Sequence, residues 1–306
     1  MRLSYIDIAK GITIMLMVIG HSSIPRPLSG WIWSFHMPLF FLVSGITTHW
    51  ERKSGIFVKE KSKGLLKPFF FYSLINILLF PLWKGGLWGE NILHILRYGW
   101  EGCALWFIPV LYLSLLIVKA VPNGKAAQAG AAIVFSLVGI LLCYYHINLP
   151  WTLSTVPMAA MYVLLGRIMS QWTKRVYGTN SSFHKMFLCM TICLSVQLPL
   201  SQFFHLDMAW NHILPFFPIL IASFAGCYFI LTLSRILSST RPIRKILSAI
   251  GLHTLEILAL SQCFIAILNK QIPSLGPAKY ILLIIFLTGF VQIKNFYKQR
   301  FPSLPL

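Results

Sequence analysis

Lys10 and His21 stand eleven positions apart in the first apolar segment, Tyr5-Ile-Asp-Ile-Ala-Lys-Gly-Ile-Thr-Ile-Met-Leu-Met-Val-Ile-Gly-His21. At about 100° per residue, eleven steps return a helix to within roughly 20° of the same face, after a rise of about 16 Å. That rise is over half of a hydrocarbon core of roughly 30 Å. One stripe therefore carries a cation near one membrane surface and an imidazole near the other, and Asp7, one turn before Lys10, shares it. Ionisable groups inside a membrane are costly and functional by default. The stripe points to an enzyme or a transporter rather than a passive anchor.

A second imidazole follows in Trp31-Ile-Trp-Ser-Phe-His36-Met-Pro38-Leu-Phe-Phe-Leu-Val-Ser-Gly45. His36 lies about 8 Å into the second apolar segment, so a tight hairpin brings both histidines into one cavity. Pro38 frees a backbone carbonyl at the same place, and irregular backbone is tolerated at membrane depth where it lines a cavity. A histidine pair suits general-base work, because an unperturbed pKa near about 6.5 lets imidazole accept a proton close to neutrality. The alternative is a pair of hydrogen-bonded structural histidines. A metal site is not expected, since no third Cys, His or carboxylate has zinc-ligand spacing. Lys10 has two readings as well: an i,i+3 partner for Asp7, or a cation that holds a phosphate.

The elements that must position these groups are membrane helices. The chain has 306 residues, 57% of them hydrophobic and 11% charged, whereas soluble domains carry about 25% charged residues. Its segments are apolar all round rather than alternating, which excludes the strands of an outer-membrane barrel. No cleavable leader is expected, as the apolar run starts at once without a small-residue cleavage site. Hydropathy predicts ten helices, at about 5–23, 31–48, 68–83, 105–121, 129–147, 151–170, 187–204, 212–236, 248–268 and 279–296. With the N-terminus inside, 20 of the 26 Lys and Arg residues fall on the inner side and five (Arg26, Lys84, Arg97, Lys270, Lys279) on the outer side, Lys10 lying within the first span. This asymmetry predicts cytoplasmic termini. It also explains most of the net charge of +19 without a nucleic-acid partner. The six cysteines are read as small buried apolar residues. No stretch is long enough for a separate soluble domain, so residues 1–306 are read as one integral membrane unit.

Other polar residues are candidates of lower rank. Arg26, in the outer turn beside His21, could bind an anionic acceptor group or stabilise an oxyanion, or touch lipid headgroups. Glu256 lies mid-span in the ninth predicted helix, where it could counter a cation such as Arg167 or shuttle a proton. Asp207 belongs to an outer run, His205-Leu-Asp-Met-Ala-Trp-Asn-His212, whose acid, amide, imidazole and indole suit sugar hydroxyls. The outer loop at about 84–104 is rich in Trp and Tyr, as an interfacial belt or a sugar-binding surface requires.

Tyr5-Ile-Asp-Ile-Ala-Lys-Gly11, then Gly20-His21, then Phe35-His-Met-Pro-Leu-Phe-Phe-Leu-Val-Ser-Gly45 together resemble the N-terminal signature of the acyltransferase type 3 family of bacterial integral membrane proteins. A basic residue, ten residues and then His is the hallmark; Lys10 stands where Arg is usual. Leu105-Trp106-Phe107 resembles the family's motif ahead of the fourth span, which makes Trp106 a further acceptor or transition-state candidate. Leu164-Leu-Gly166-Arg167 resembles a mid-chain glycine motif, and Ile250-Gly251-Leu-His-Thr-Leu-Glu256-Ile257 the penultimate-helix motif. Relatives commonly close the last motif with His, where this chain has Ser261-Gln262. The branch most similar is that of fucose or capsule-sugar O-acetyltransferases.

The resemblance implies acyl-CoA, with acetyl-CoA foremost, as co-substrate. It implies a lipid-linked or cell-surface glycan as acceptor, a cytoplasmic-membrane location, and no permanently bound cofactor. On that reading Lys10, with Asp7, holds the donor phosphates near the basic inner loop 52–67. The pantetheine arm rises along the first span, and its reach is close to the 16 Å or so between Lys10 and His21. His21 acts as general base or transient acyl carrier, and His36 orients or assists. The rival reading is an exporter of a saccharide or small metabolite, which uses the same polar cavity for proton coupling. Inverted repeats or paired broken helices would favour it, and neither is visible in the sequence.

Overall fold

A computed structural model describes residues 4–22, 24–83, 88–100, 103–176 and 183–272, with 282–283, 285–286 and 288–289 beyond them. Among the described residues there is no β-strand; one isolated antiparallel bridge joins Asp207 and His212. The helices in chain order are α1 (Ser4–Gly20), α2 (Arg26–Trp33), α3 (His36–Thr47), α4 (Ser54–Lys61), α5 (Lys67–Leu78), α6 (Phe80–Trp83) and α7 (Trp88–Tyr98). They continue with α8 (Phe107–Ala120), α9 (Lys125–Tyr144), α10 (Val156–Val176), α11 (Phe183–Phe203), α12 (Phe216–Leu237), α13 (Arg241–Leu252) and α14 (Thr254–Gln271).

Among the described residues, four helical stretches are long and apolar enough to cross a membrane: α9, Pro150–Ser170 leading through α10, α11 and α12. The pair α13 and α14 makes a fifth if its 73° bend lies within one span. Helices α9 and α11 leave large apolar side chains exposed, among them Ile133, Leu141, Phe187 and Ile192. A hydrocarbon surrounding accepts such faces without cost. The first predicted span corresponds to α1, whose 17 residues reach the lower end of spanning length.

Several predicted spans are broken rather than continuous. The second, at 31–48, is α2 and α3 meeting at Ser34-Phe35; the third, at 68–83, is interrupted at Leu79 between α5 and α6. The ninth, at 248–268, starts inside α13 and turns the 73° corner at His253. A hydropathy window averages over such corners because the residues on both sides are apolar. The predicted outer loop 84–104 contains α7, and two thirds of the tenth predicted span lie outside the described residues.

Helix α1 is the hub. It packs on α2, α3, α12, α13 and α14, while α3 lies along α10 and α11 along α12. Two crossings bring backbone onto backbone. A Cβ on Gly45 of α3 would collide with the Val163 carbonyl of α10, and one on Gly166 with the Leu42 carbonyl. Likewise a Cβ on Gly11 of α1 would collide with the Leu247 carbonyl of α13, and one on Gly251 with the Asp7 carbonyl. In lipid, where apolar burial gives little drive, such close approach supplies the packing that holds helices together. Phe35, Phe41, Phe57 and Tyr162 are fully buried around these crossings.

Candidate active site

The break between α2 and α3 shapes the site. Phe35 has φ −135° and ψ −18°, off the helical path. Pro38 has no N–H, so the carbonyl four residues back, that of Ser34, loses its helical donor. That carbonyl lies 2.8 Å from Ser223 Oγ of α12. Ser34 Oγ accepts from Gln197 Nε2 of α11 at 2.9 Å, and Gln197 Oε1 accepts from Trp31 Nε1 at 3.1 Å. The irregular backbone is thus tied to two neighbouring helices, and it brings Trp33 and His36 to the end of α1.

Four rings gather there. His21, just past α1, lies 5.1 Å from the Trp33 ring and 6.0 Å from the His36 ring, edge-on to both. Trp33 lies 5.9 Å from His36, and on its other side His205 stacks on it at 5.4 Å. Trp33 Nε1 donates to the Gly20 carbonyl at 3.1 Å, which pins the indole to the end of α1. His36 Nδ1 is 3.0 Å from the Ile32 carbonyl in a buried contact. A carbonyl only accepts, so Nδ1 carries the proton, and in the neutral ring Nε2 keeps its lone pair.

His21, Trp33 and His36 line one cleft with Trp106, Asp207 and the apolar Met17, Met37 and Leu258. It encloses about 40 Å³, room for a few waters. Four of the sequence candidates therefore meet: His21, His36, Trp106 and Asp207. Asp207 commits Oδ1 to its own turn, accepting from Ala209 N at 2.9 Å and Trp210 N at 3.4 Å. Trp106 is carried by a short 3₁₀ turn, Ala104–Trp106, whose Ala104 N–H donates to Gln262 Oε1 at 2.7 Å. Gln262 thus holds the wall of the cleft.

The other candidates lie elsewhere. Lys10 Nζ pairs with Asp7 at 3.0 Å, a quarter of its side chain exposed and that of Asp7 9% exposed. Arg26 sits at the start of α2 in a separate cavity of about 600 Å³, lined also by Ser29, Gln202 and His205. The Trp33–His205 stack stands between that cavity and the histidine cleft. Glu256 lies just past the 73° bend, in the first turn of α14, where the helix dipole favours a carboxylate, and it pairs with His253 at 3.0 Å. Its suggested partner Arg167 instead donates to the Val118 and Val121 carbonyls at 2.7 and 3.0 Å and to Asn123 Oδ1. A guanidinium suits that place, because the last carbonyls of α8 lack helical donors.

Sequence reasoning missed Trp33, and it treated Gln262 only as a departure. The signal for Trp33 was the i,i+3 spacing to His36, hidden because the helix breaks between them. Gln262 is found only through the fold, since its partner Ala104 is 158 positions away. With this geometry in place, the comparisons give one positive result. A family model described as an acyltransferase domain matches residues 3–293. No curated protein and no solved structure matches the chain. A match over nearly the whole length, on a chain of membrane-spanning apolar helices, shows that it belongs to the acyltransferase type 3 family and is a multi-pass membrane acyltransferase.

Proposed function

We propose that the protein transfers an acyl group, acetyl first among them, from cytosolic acyl-CoA to a hydroxyl of an envelope or cell-surface saccharide, in a bacterial cytoplasmic membrane. The observation that carries this reading is the pair of imidazoles 6.0 Å apart in one cleft, at the far end of the helix stripe that starts with Lys10. The donor lies with its phosphates near Lys10 and the basic inner loop, and its thioester near His21. The acceptor comes from the opposite side.

In the reaction, the acceptor hydroxyl gives its proton to a histidine nitrogen as its oxygen attacks the thioester carbonyl. The new C–O bond forms, the C–S bond breaks, and the imidazolium returns the proton to the departing thiolate. His21 is the base. His36, held by Ile32 with Nε2 unprotonated, orients the hydroxyl or relays the proton. The exporter alternative gains nothing from the family assignment.

The test uses cells that make the glycan. Acetyl signals on the surface glycan, followed by NMR, should depend on the gene and vanish with His21→Ala at equal protein level. A general base contributes about 10²–10⁴-fold. Unchanged acetylation in the His21→Ala strain would remove His21 as the base. Purified protein that neither hydrolyses radiolabelled acetyl-CoA nor transfers its label would favour export instead.

A further inference from the structure

A second cavity opens beside the histidine cleft and shares Trp106 and Ala209 with it. Asn148, Thr152, Trp210 and Asn211 line it as well, and none of the nine described residues that line it is charged. Asn211 is 3% exposed, yet neither its side-chain nitrogen nor its oxygen has a hydrogen-bond partner. A buried amide left unpaired is unfavourable. Neither amide atom is open to solvent, so a turn of the side chain toward the cavity is what would present its N–H donors and carbonyl acceptor to one hydroxyl, or two adjacent hydroxyls, of a ligand. Trp210, the residue before it, is 46% exposed and lines the same cavity. The backbone is also unusual on both walls: Asn211 has φ 54°, and Thr152, a β-branched residue, has φ 58°. Left-handed conformations of this kind persist where surrounding structure imposes them, and they cluster at binding and active sites.

From this arrangement we infer that the cavity is the acceptor subsite and that the acceptor is a neutral pyranose. The inference rests on the reading of the protein as a saccharide acyltransferase. The enclosed space is about 30 Å³, enough for the hydroxyl edge of a sugar but not for its ring. The ring then lies against Trp210, with one or two hydroxyls on Asn211. A neighbouring hydroxyl passes Trp106 and faces His21 and His36. An acidic sugar would instead seek the cavity that holds Arg26, beyond the Trp33–His205 stack.

The experiment measures binding apart from catalysis. Purified full-length protein in nanodiscs is titrated, without acyl-CoA, with methyl pyranosides of galactose, glucose and fucose and with methyl glucuronide, read by saturation-transfer difference NMR. At least one neutral glycoside should bind saturably. Asn211→Gly removes the amide but keeps the left-handed backbone, and it should weaken that binding about tenfold, the loss of one or two hydrogen bonds. Trp210→Ala, at an exposed position, should weaken it too, and it decides the matter if Asn211→Gly fails to fold. The subsite is overturned if no neutral glycoside binds, if binding survives both variants unchanged, or if only the glucuronide binds. Thiol release from acetyl-CoA in the same samples is a separate readout. Sugar bound through Asn211 without thiol release would sink the transferase reading and leave the subsite standing.

Discussion

Replacing His36 by Asn separates two roles that the structure combines in one ring. The Asn side-chain amide can occupy the place of Nδ1 and still donate to the Ile32 carbonyl, now 3.0 Å from the imidazole, but it has nothing at the place of Nε2. If His36 works through Nε2, the variant should keep its fold and lose turnover. The structural cost is small. The Ile32 carbonyl also accepts from Phe35 N at 3.3 Å, so even a poorly placed amide leaves it partly satisfied, and the loss stays near the lower end of a buried hydrogen bond, about 1 kcal/mol. The chemical cost is larger. Loss of a proton-transfer group lowers the rate about 10²–10⁴-fold, which is about 2.7–5.5 kcal/mol in the barrier. Thiol release from acetyl-CoA in the presence of acceptor gives kcat, and thermal unfolding in the same nanodiscs gives stability. A His36→Asn protein that turns over within about threefold of wild type would show that His36 only anchors the α2–α3 break.

Three further outcomes are expected. Lys10→Arg should retain activity, whereas Lys10→Met should raise the KM for acyl-CoA far more than that for the sugar; because removing Lys10 strands Asp7, a normal donor KM in Asp7→Asn with Lys10→Met would reduce Lys10 to a structural partner. A cysteine at Ser54 should resist impermeant thiol reagents in intact cells while one at Ser29 reacts, and the reverse pattern would overturn both the orientation and the inside location of the donor. Gln262→Glu keeps an acceptor for the Ala104 N–H and should preserve kcat better than Gln262→Leu, which releases the turn carrying Trp106; equal kcat values would show that this tie does not position the cleft.

Much of the site was legible because its signals are local. The Lys10–Asp7 pair and the stripe to His21 follow from helical periodicity, and Pro38 implies a freed backbone carbonyl, which is that of Ser34, reached by Ser223. The four glycines at the α1–α13 and α3–α10 crossings fall within the motifs that carry the family resemblance, so their packing role explains residues already singled out. What stayed hidden depends on distant partners or on corners. The bend at His253 puts Glu256 in a helix first turn, with His253 rather than Arg167 beside it. In the sequence Asn211 is one polar residue among several, and only the fold shows that it is buried at a cavity that Trp106 also lines.

The two glycine crossings have a mechanical meaning. Each pins its helix away from the chemistry: Gly11 is ten residues from His21 along α1, and Gly45 is nine from His36 along α3. Those spacings make lever arms of about 14–15 Å. Rotation of either helix by about 4° around its pinned point moves its imidazole by about 1 Å, with no rotamer change and no loss of the contacts at the fulcrum. Backbone pressed on backbone leaves nothing compressible at the pivot, so motion near the glycines is small while its effect at the histidine ends is multiplied. The separation between the two histidines, and with it the width of a cleft that now admits only a few waters, is therefore set by tilt.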